Sequence, residues 1–252
     1  MTDINNNFLA FNISMFKKIT LNDQLIYLSS NCDKCKDDRY ALLHLHQDEI
    51  TSLYVMIDFS NQHQNIQYNY LHQSDPSIRN INLKYNNKII EVDPNRIYTE
   101  IGRQKILDEH SVAHDAQLAE YINNLANFIL DQISHNKIIV SLHNNFNAKN
   151  GHTYNFATYL TDYDKPAPGT LAINVADKNN MGDFVLVSRQ LLFDELKKYD
   201  INLALQDNKS IEDDGSLSVY CGQNDIDYIN IETERGHYEE QLAILNIIHG
   251  IL

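Results

Sequence analysis

Short apolar runs broken by polar turns recur along the chain and outline its fold. Residues 25–29 and 40–45 read as strands. Helix signals follow from Asp48. Residues 65–71 and 88–92 give two further strands. Across residues 114–134, the positions Leu118, Ile122, Leu125, Ile129 and Ile133 recur at spacings of 4, 3, 4 and 4. That spacing places them on one face of a long amphipathic helix. Residues 137–142 read as a buried strand that ends at His143. Residues 170–176 and 184–187 are strand-like. Ser188 is expected to cap a helix through Tyr199, its hydroxyl accepting an orphan amide of the first turn. Residues 201–205, 217–220 and 228–231 read as strands. Tyr238, Leu242, Leu245 and Ile248 mark a closing amphipathic helix.

This alternation implies an α/β fold with a mixed, largely parallel central sheet flanked by helices. No repeat or linker interrupts it, so residues 1–252 are read as a single domain. In such sheets ligands bind beyond the carboxyl ends of the strands, so residues at those ends matter most.

Charge narrows the partners. The net charge is −14, from 34 acidic and 20 basic residues. Such a surface repels phosphate backbones, which argues against nucleic acid. No apolar run approaches the roughly 20 residues of a membrane span. The N-terminus lacks a basic start followed by an unbroken apolar stretch, so it is not a signal peptide as it stands. A periplasmic or exported location is expected if a leader has been removed, and a cytoplasmic one otherwise. Cys32 and Cys35 form a lone C-x-x-C, too few ligands for a structural zinc site. A local disulfide or free thiols are both open. A disulfide would place the protein outside the reducing cytosol.

The chemistry concentrates at strand ends. His46-Gln47-Asp48-Glu49 follows an apolar strand, and an H-x-x-E at a strand-to-helix turn can present an imidazole and a carboxylate to one cation. Catalytic zinc sites use three protein ligands and a water. His143, closing a buried strand, is the candidate third ligand. His44 has no glutamate three residues on, so His46 is preferred. His110 and His114 lack a carboxylate at the offset a metal helix needs. In Asp93-Pro94-Asn95-Arg96, the Arg96 guanidinium offers a planar fork for a carboxylate and Asn95 an amide donor. The same residues also make a good turn. Glu232 and Glu234 end a late strand on one face, and either suits a general base.

In this order the motifs resemble those of the zinc carboxypeptidases and the related aspartoacylase and succinylglutamate desuccinylase group, over about residues 40–245. The resemblance implies one zinc ion per chain on His46, Glu49 and His143. It implies Asn95 and Arg96 as the grip on a substrate carboxylate and Glu232 as general base and acid. Arg79 would polarise the scissile carbonyl, and Tyr220 would be the pocket tyrosine. The family's serine after the third ligand is here Asn144. The implied substrate is a small peptide with a free carboxylate, such as a bacterial cell-wall stem peptide. Alternatives are an N-acyl amino acid, or a carboxylate bound without turnover on the same fold.

Overall fold

Thirteen strands and six α-helices form among the residues described by the computed structural model, which are 15–21, 24–32, 35, 37–75, 77–133, 137–145, 154–162 and 164–252. In chain order the first strands are β1 (Met15–Leu21), β2 (Gln24–Ser30) and β3 (Asp37–His44), followed by helix α1 (Ile50–Gln62). Then come β4 (Ile66–His72), β5 (Ile81–Tyr85), β6 (Lys88–Val92), α2 (Glu100–Glu109), α3 (Ala116–Ile133) and β7 (Ile138–Asn145). The short β8 (Leu160–Thr161) and β9 (Lys165–Pro166) precede β10 (Thr170–Asn174), β11 (Phe184–Val187), α4 (Gln190–Leu196) and β12 (Leu203–Gln206). Helix α5 (Leu217–Gln223), strand β13 (Asp227–Glu234) and helix α6 (Tyr238–Ile251) complete the series.

Nine strands share one sheet in the order β1-β2-β4-β3-β7-β13-β11-β12-β10. Its centre, β4-β3-β7-β13, is parallel throughout. Antiparallel pairs lie towards both edges. The expected mixed, largely parallel sheet is therefore present in the core.

Strand β3 shows why its sequence reads as an unbroken apolar run. Ala41 and Leu43 pack on one face with α2, α3 and α5, while Tyr40 and Leu42 pack on the other with α1, α4 and α6. A strand covered on both faces has no polar side to alternate with. Helix α3 buries the stripe Leu118, Ile122, Leu125, Ile129 and Ile133. None of the helices is long and apolar enough to cross a membrane, among the described residues.

Two expectations are corrected. Residues 217–220 are helix rather than strand, because the Ser216 side chain caps the segment by accepting from the Val219 amide. Ser188 does not cap α4, whose N-cap is Arg189 and whose last residue is Leu196. The Ser188 hydroxyl instead accepts from the Tyr228 amide at 2.9 Å and donates to the Ile226 carbonyl at 3.2 Å, tying β11 to β13. The cysteine alternatives also resolve. Cys32 and Cys35 are disulfide-bonded, and Cys221 is free and buried.

One close crossing positions the arginine loop. Gly102 on α2 lies against Gly215 and the Arg96 carbonyl, and a Cβ on either glycine would overlap that backbone. Gly215 also holds a positive φ of 81°. Gly102→Ala must push the crossing apart, and an overpacked buried site loses about 1–3 kcal/mol. A lower melting temperature is the expected result in thermal scans.

Candidate metal centre and substrate cavity

Because β3, β7 and β13 run parallel, their carboxyl ends lie side by side. His46 stands just past β3, and the Glu49 amide closes a turn onto its carbonyl at 3.0 Å. Glu49 then forms the N-cap of α1. His143 lies within β7, and Glu232 is its register partner on β13.

His46, Glu49 and His143 are buried, and each offers a ligand atom within 4.8 Å of the others. The two Nδ1 atoms are 3.1 Å apart. Glu49 reaches His46 Nδ1 with Oε1 at 3.2 Å and His143 Nδ1 with Oε2 at 3.1 Å. The far nitrogens are fixed from behind. His46 Nε2 meets Asp93 Oδ1 at 2.9 Å, and His143 Nε2 meets Ser141 Oγ at 2.8 Å. An imidazole whose outer N–H is held by a carboxylate presents its other nitrogen as a lone pair, as metal sites arrange it. Two nitrogens and a carboxylate oxygen, converging on one point, fit a zinc-type donor set.

The electrostatics agree. Burial would lower the His46 pKa, but the Glu49 and Asp93 carboxylates outweigh it and hold it at about 9. Burial would raise Glu49, but the two histidines hold it well below the usual carboxylate range. The centre is thus built to hold positive charge. Asp93→Asn would remove a charge that orients His46. Metal affinity is expected to fall about 10–100-fold, read by competition with a chromogenic chelator.

His44 takes a structural role. Its Nε2 contacts the Glu49 carbonyl at 3.0 Å and Ser52 Oγ at 2.9 Å, and burial lowers its pKa to about 4. Asn144 is a clamp. Its Oδ1 accepts from the Ser52 amide at 2.8 Å and its Nδ2 donates to Thr233 Oγ1 at 3.2 Å, locking α1 and β13 around the centre. His110 sits at the end of α2, with Nε2 on the Glu91 carbonyl.

A cavity of about 310 Å³ opens on the centre, lined by His46, His143, Glu232, Arg79, Asn95 and Arg96 among others. Burial, reinforced by Glu49 and opposed by His143, pushes the Glu232 carboxyl up to about 7. That value suits a group that takes up and returns a proton near neutrality. Glu234, the alternative base, lies instead beneath Gly182 and within 4.0 Å of His237. Arg79 lines the cavity and is ion-paired with Glu49 Oε1. The Asn95 carboxamide oxygen is occupied by the Leu217 amide at 3.1 Å, so its donors are what it can offer a ligand. Arg96 Nε is 3.6 Å from Asp214.

Tyr220 is not among the lining residues. It packs on Tyr98, with ring centroids 6.2 Å apart. Tyr154 and Tyr159, both missed in the sequence, line the cavity together with Tyr228 and Glu232. Asp93 was read only as a turn residue. It does make that turn, accepting from the Asn95 amide at 2.8 Å, and the same oxygen holds His46.

No family model and no curated protein matches the sequence. Among solved structures, the chain is similar to a succinylglutamate desuccinylase from Chromobacterium violaceum (11% identity, 95% of this chain and 70% of that one, TM-score 0.48). It is also similar to a succinylglutamate desuccinylase from Vibrio parahaemolyticus (10%, 95% and 77%, 0.45) and to the murein-tripeptide amidase MpaA from Escherichia coli O157 (12%, 89% and 86%, 0.44). At such identities the likeness concerns the chain trace, and the chemistry of the site is read from its own side chains.

Proposed function

We propose that this protein is a zinc-dependent hydrolase that cleaves an amide bond next to a free carboxylate, acting as a carboxypeptidase on a small peptide. The observation that carries the reading is the buried His46–Glu49–His143 donor set beside Glu232, in a cavity that also holds Arg79, Asn95 and Arg96. Bound zinc would supply Lewis acidity and let a water molecule react near neutral pH.

The residues divide the remaining work. Arg96 and the Asn95 donors hold the substrate carboxylate, which fixes the scissile bond relative to the centre. Glu232 accepts a proton from the attacking water and returns it to the leaving amine. Arg79 adds fixed positive charge where the carbonyl oxygen becomes anionic. The same parts would deacylate an N-acyl amino acid, which is the second reading. The Cys32–Cys35 disulfide favours an oxidising compartment.

Incubating zinc-loaded protein with dipeptides and N-acyl amino acids, followed by mass spectrometry, separates the two. Dipeptide cleavage supports the carboxypeptidase, acyl cleavage alone supports the deacylase, and no cleavage of either removes the hydrolase.

Metal uptake should also depend on pH in a set direction. With its pKa raised to about 9, His46 is protonated at neutral pH in the metal-free centre. Its contribution to metal-free stability is full below the ordinary value near 6.5 and is lost as pH rises through about 9. Zinc must displace that proton, so apparent affinity should climb about tenfold per pH unit up to that point. Titrations at pH 6, 7 and 8 that gave one constant affinity would refute this.

A further inference from the structure

The cavity carries two further polar groups besides the metal ligands and Glu232. Gln206 closes β12 and is 3% exposed, yet its Oε1 has no hydrogen-bond partner. Asn230, two residues before Glu232, is 5% exposed, and its Oδ1 is likewise unpartnered. Both residues line the cavity. A buried acceptor without a partner costs about 1–3 kcal/mol, so a donor from a ligand is its natural complement.

The orientation of Gln206 is fixed by its surroundings. Asn208 Nδ2 donates to the Ser188 carbonyl at 2.9 Å, which turns Asn208 Oδ1 towards Gln206. Gln206 Nε2 then donates to that oxygen at 2.9 Å and to the Ser218 carbonyl at 3.0 Å. Flipping the amide would set oxygen against two oxygens. Gly222 on α5 locks the pair, because a Cβ there would overlap both amides. Asn230 is set similarly, with Nδ2 donating to Glu232 Oε1 at 3.2 Å.

Apolar side chains share the lining with the two acceptors. Leu186 on β11 is the register partner of Asn230 and of Ala204, and it lines the cavity with Ile211 and Val219. Asp214 adds a carboxylate to the lining. The lining therefore offers aliphatic surface alongside buried acceptors. A carboxamide would also need a donor for its own oxygen, which Gln206 cannot supply because its Nε2 already donates to Asn208 and Ser218. An ammonium group has three donors and no acceptor.

We infer that the cavity receives a substrate side chain with an aliphatic stem and a terminal ammonium, of the lysine or ornithine type, with its head on Gln206 Oε1. The inference rests on the hydrolase reading for its turnover arm, so the test has a second arm that does not.

In the first arm, peptides and N-acyl derivatives ending in lysine, ornithine or norleucine, in both stereochemical forms, are compared with zinc-loaded protein. Norleucine keeps the stem and lacks the ammonium. The expected kcat/KM ratio of lysine or ornithine over norleucine is about tenfold or more, falling towards one in Gln206→Leu. A ratio between substrates within one preparation does not depend on the folded fraction. In the second arm, calorimetry with free lysine, ornithine and norleucine reads the same preference without turnover. Equal treatment of lysine, ornithine and norleucine in both arms, as when a water serves Gln206, overturns the inference. A preference that survives intact in Gln206→Leu does so too. Preferential binding of lysine or ornithine with no cleavage overturns the hydrolase reading and leaves the ammonium pocket standing.

Discussion

His143→Ala should abolish metal binding and reduce hydrolysis to background. His143 supplies one of three donors, and its Nδ1 is also a partner of the Glu49 carboxylate. Without it, one imidazole and one carboxylate remain, too few to hold zinc against water. The fold should survive. The Gln241 side chain contacts the backbone carbonyl of residue 143, which alanine keeps. Elemental mass spectrometry on tag-free protein should read about one zinc per chain in the parent and almost none in the variant. His44→Ala is the matched control. It removes a buried partner of the Glu49 carbonyl and Ser52, so it should lower the melting temperature while zinc stays bound. Full zinc occupancy in His143→Ala would remove the metal assignment.

Glu232→Gln should do two opposite things at once. Hydrolysis should drop by about a hundredfold to ten-thousandfold, the usual contribution of a positioned acid–base group. Metal-free stability should rise at alkaline pH. Burial lifts the Glu232 pKa from 4.5 to about 7 in the folded chain. A raised carboxyl favours folding below its unfolded value and loses that contribution as pH climbs through the folded value. The loss, spread over roughly pH 4.5–7, amounts to about 3 kcal/mol for a shift of this size. Glutamine keeps an oxygen for the Asn230 donor and never ionises. The variant should therefore match the parent near pH 4 and melt higher at pH 8 when both are stripped of zinc. Equal melting at pH 8 would show that the folded carboxyl is not penalised, and full activity would remove Glu232 as the base.

Much of this site could be read in the sequence because its parts fall at the ends of apolar runs. His46 follows β3, His143 and Glu232 lie near the carboxyl ends of β7 and β13, and parallel pairing of the three strands brings those ends together. Periodicity placed α3 for a similar reason, since one face of it packs on the sheet. What was missed depends on contacts between distant segments. Nothing local shows that Asp93 serves both a turn and His46. Tyr154 and Tyr159 lie after an Asn-rich stretch with no periodic pattern. Helix α5 carries Val219 and Tyr220 in a short apolar run that suits a strand equally well, and only the Ser216 cap decides. Tyr220 accordingly lies on α5, packed on Tyr98 and outside the cavity lining.

The position of β13 has a consequence for how activity arises during folding. It is the last of the described strands in sequence, yet it sits in the middle of the sheet, between β7 and β11. All three metal donors precede it. A growing chain can therefore bring β3 and β7 together and assemble His46, Glu49 and His143 while the slot beside them is still open. Glu232 arrives only when β13 fills that slot. On the proposed assignments, metal capture and hydrolytic competence are thus separable in time, and a half-made chain that holds metal would still lack Glu232.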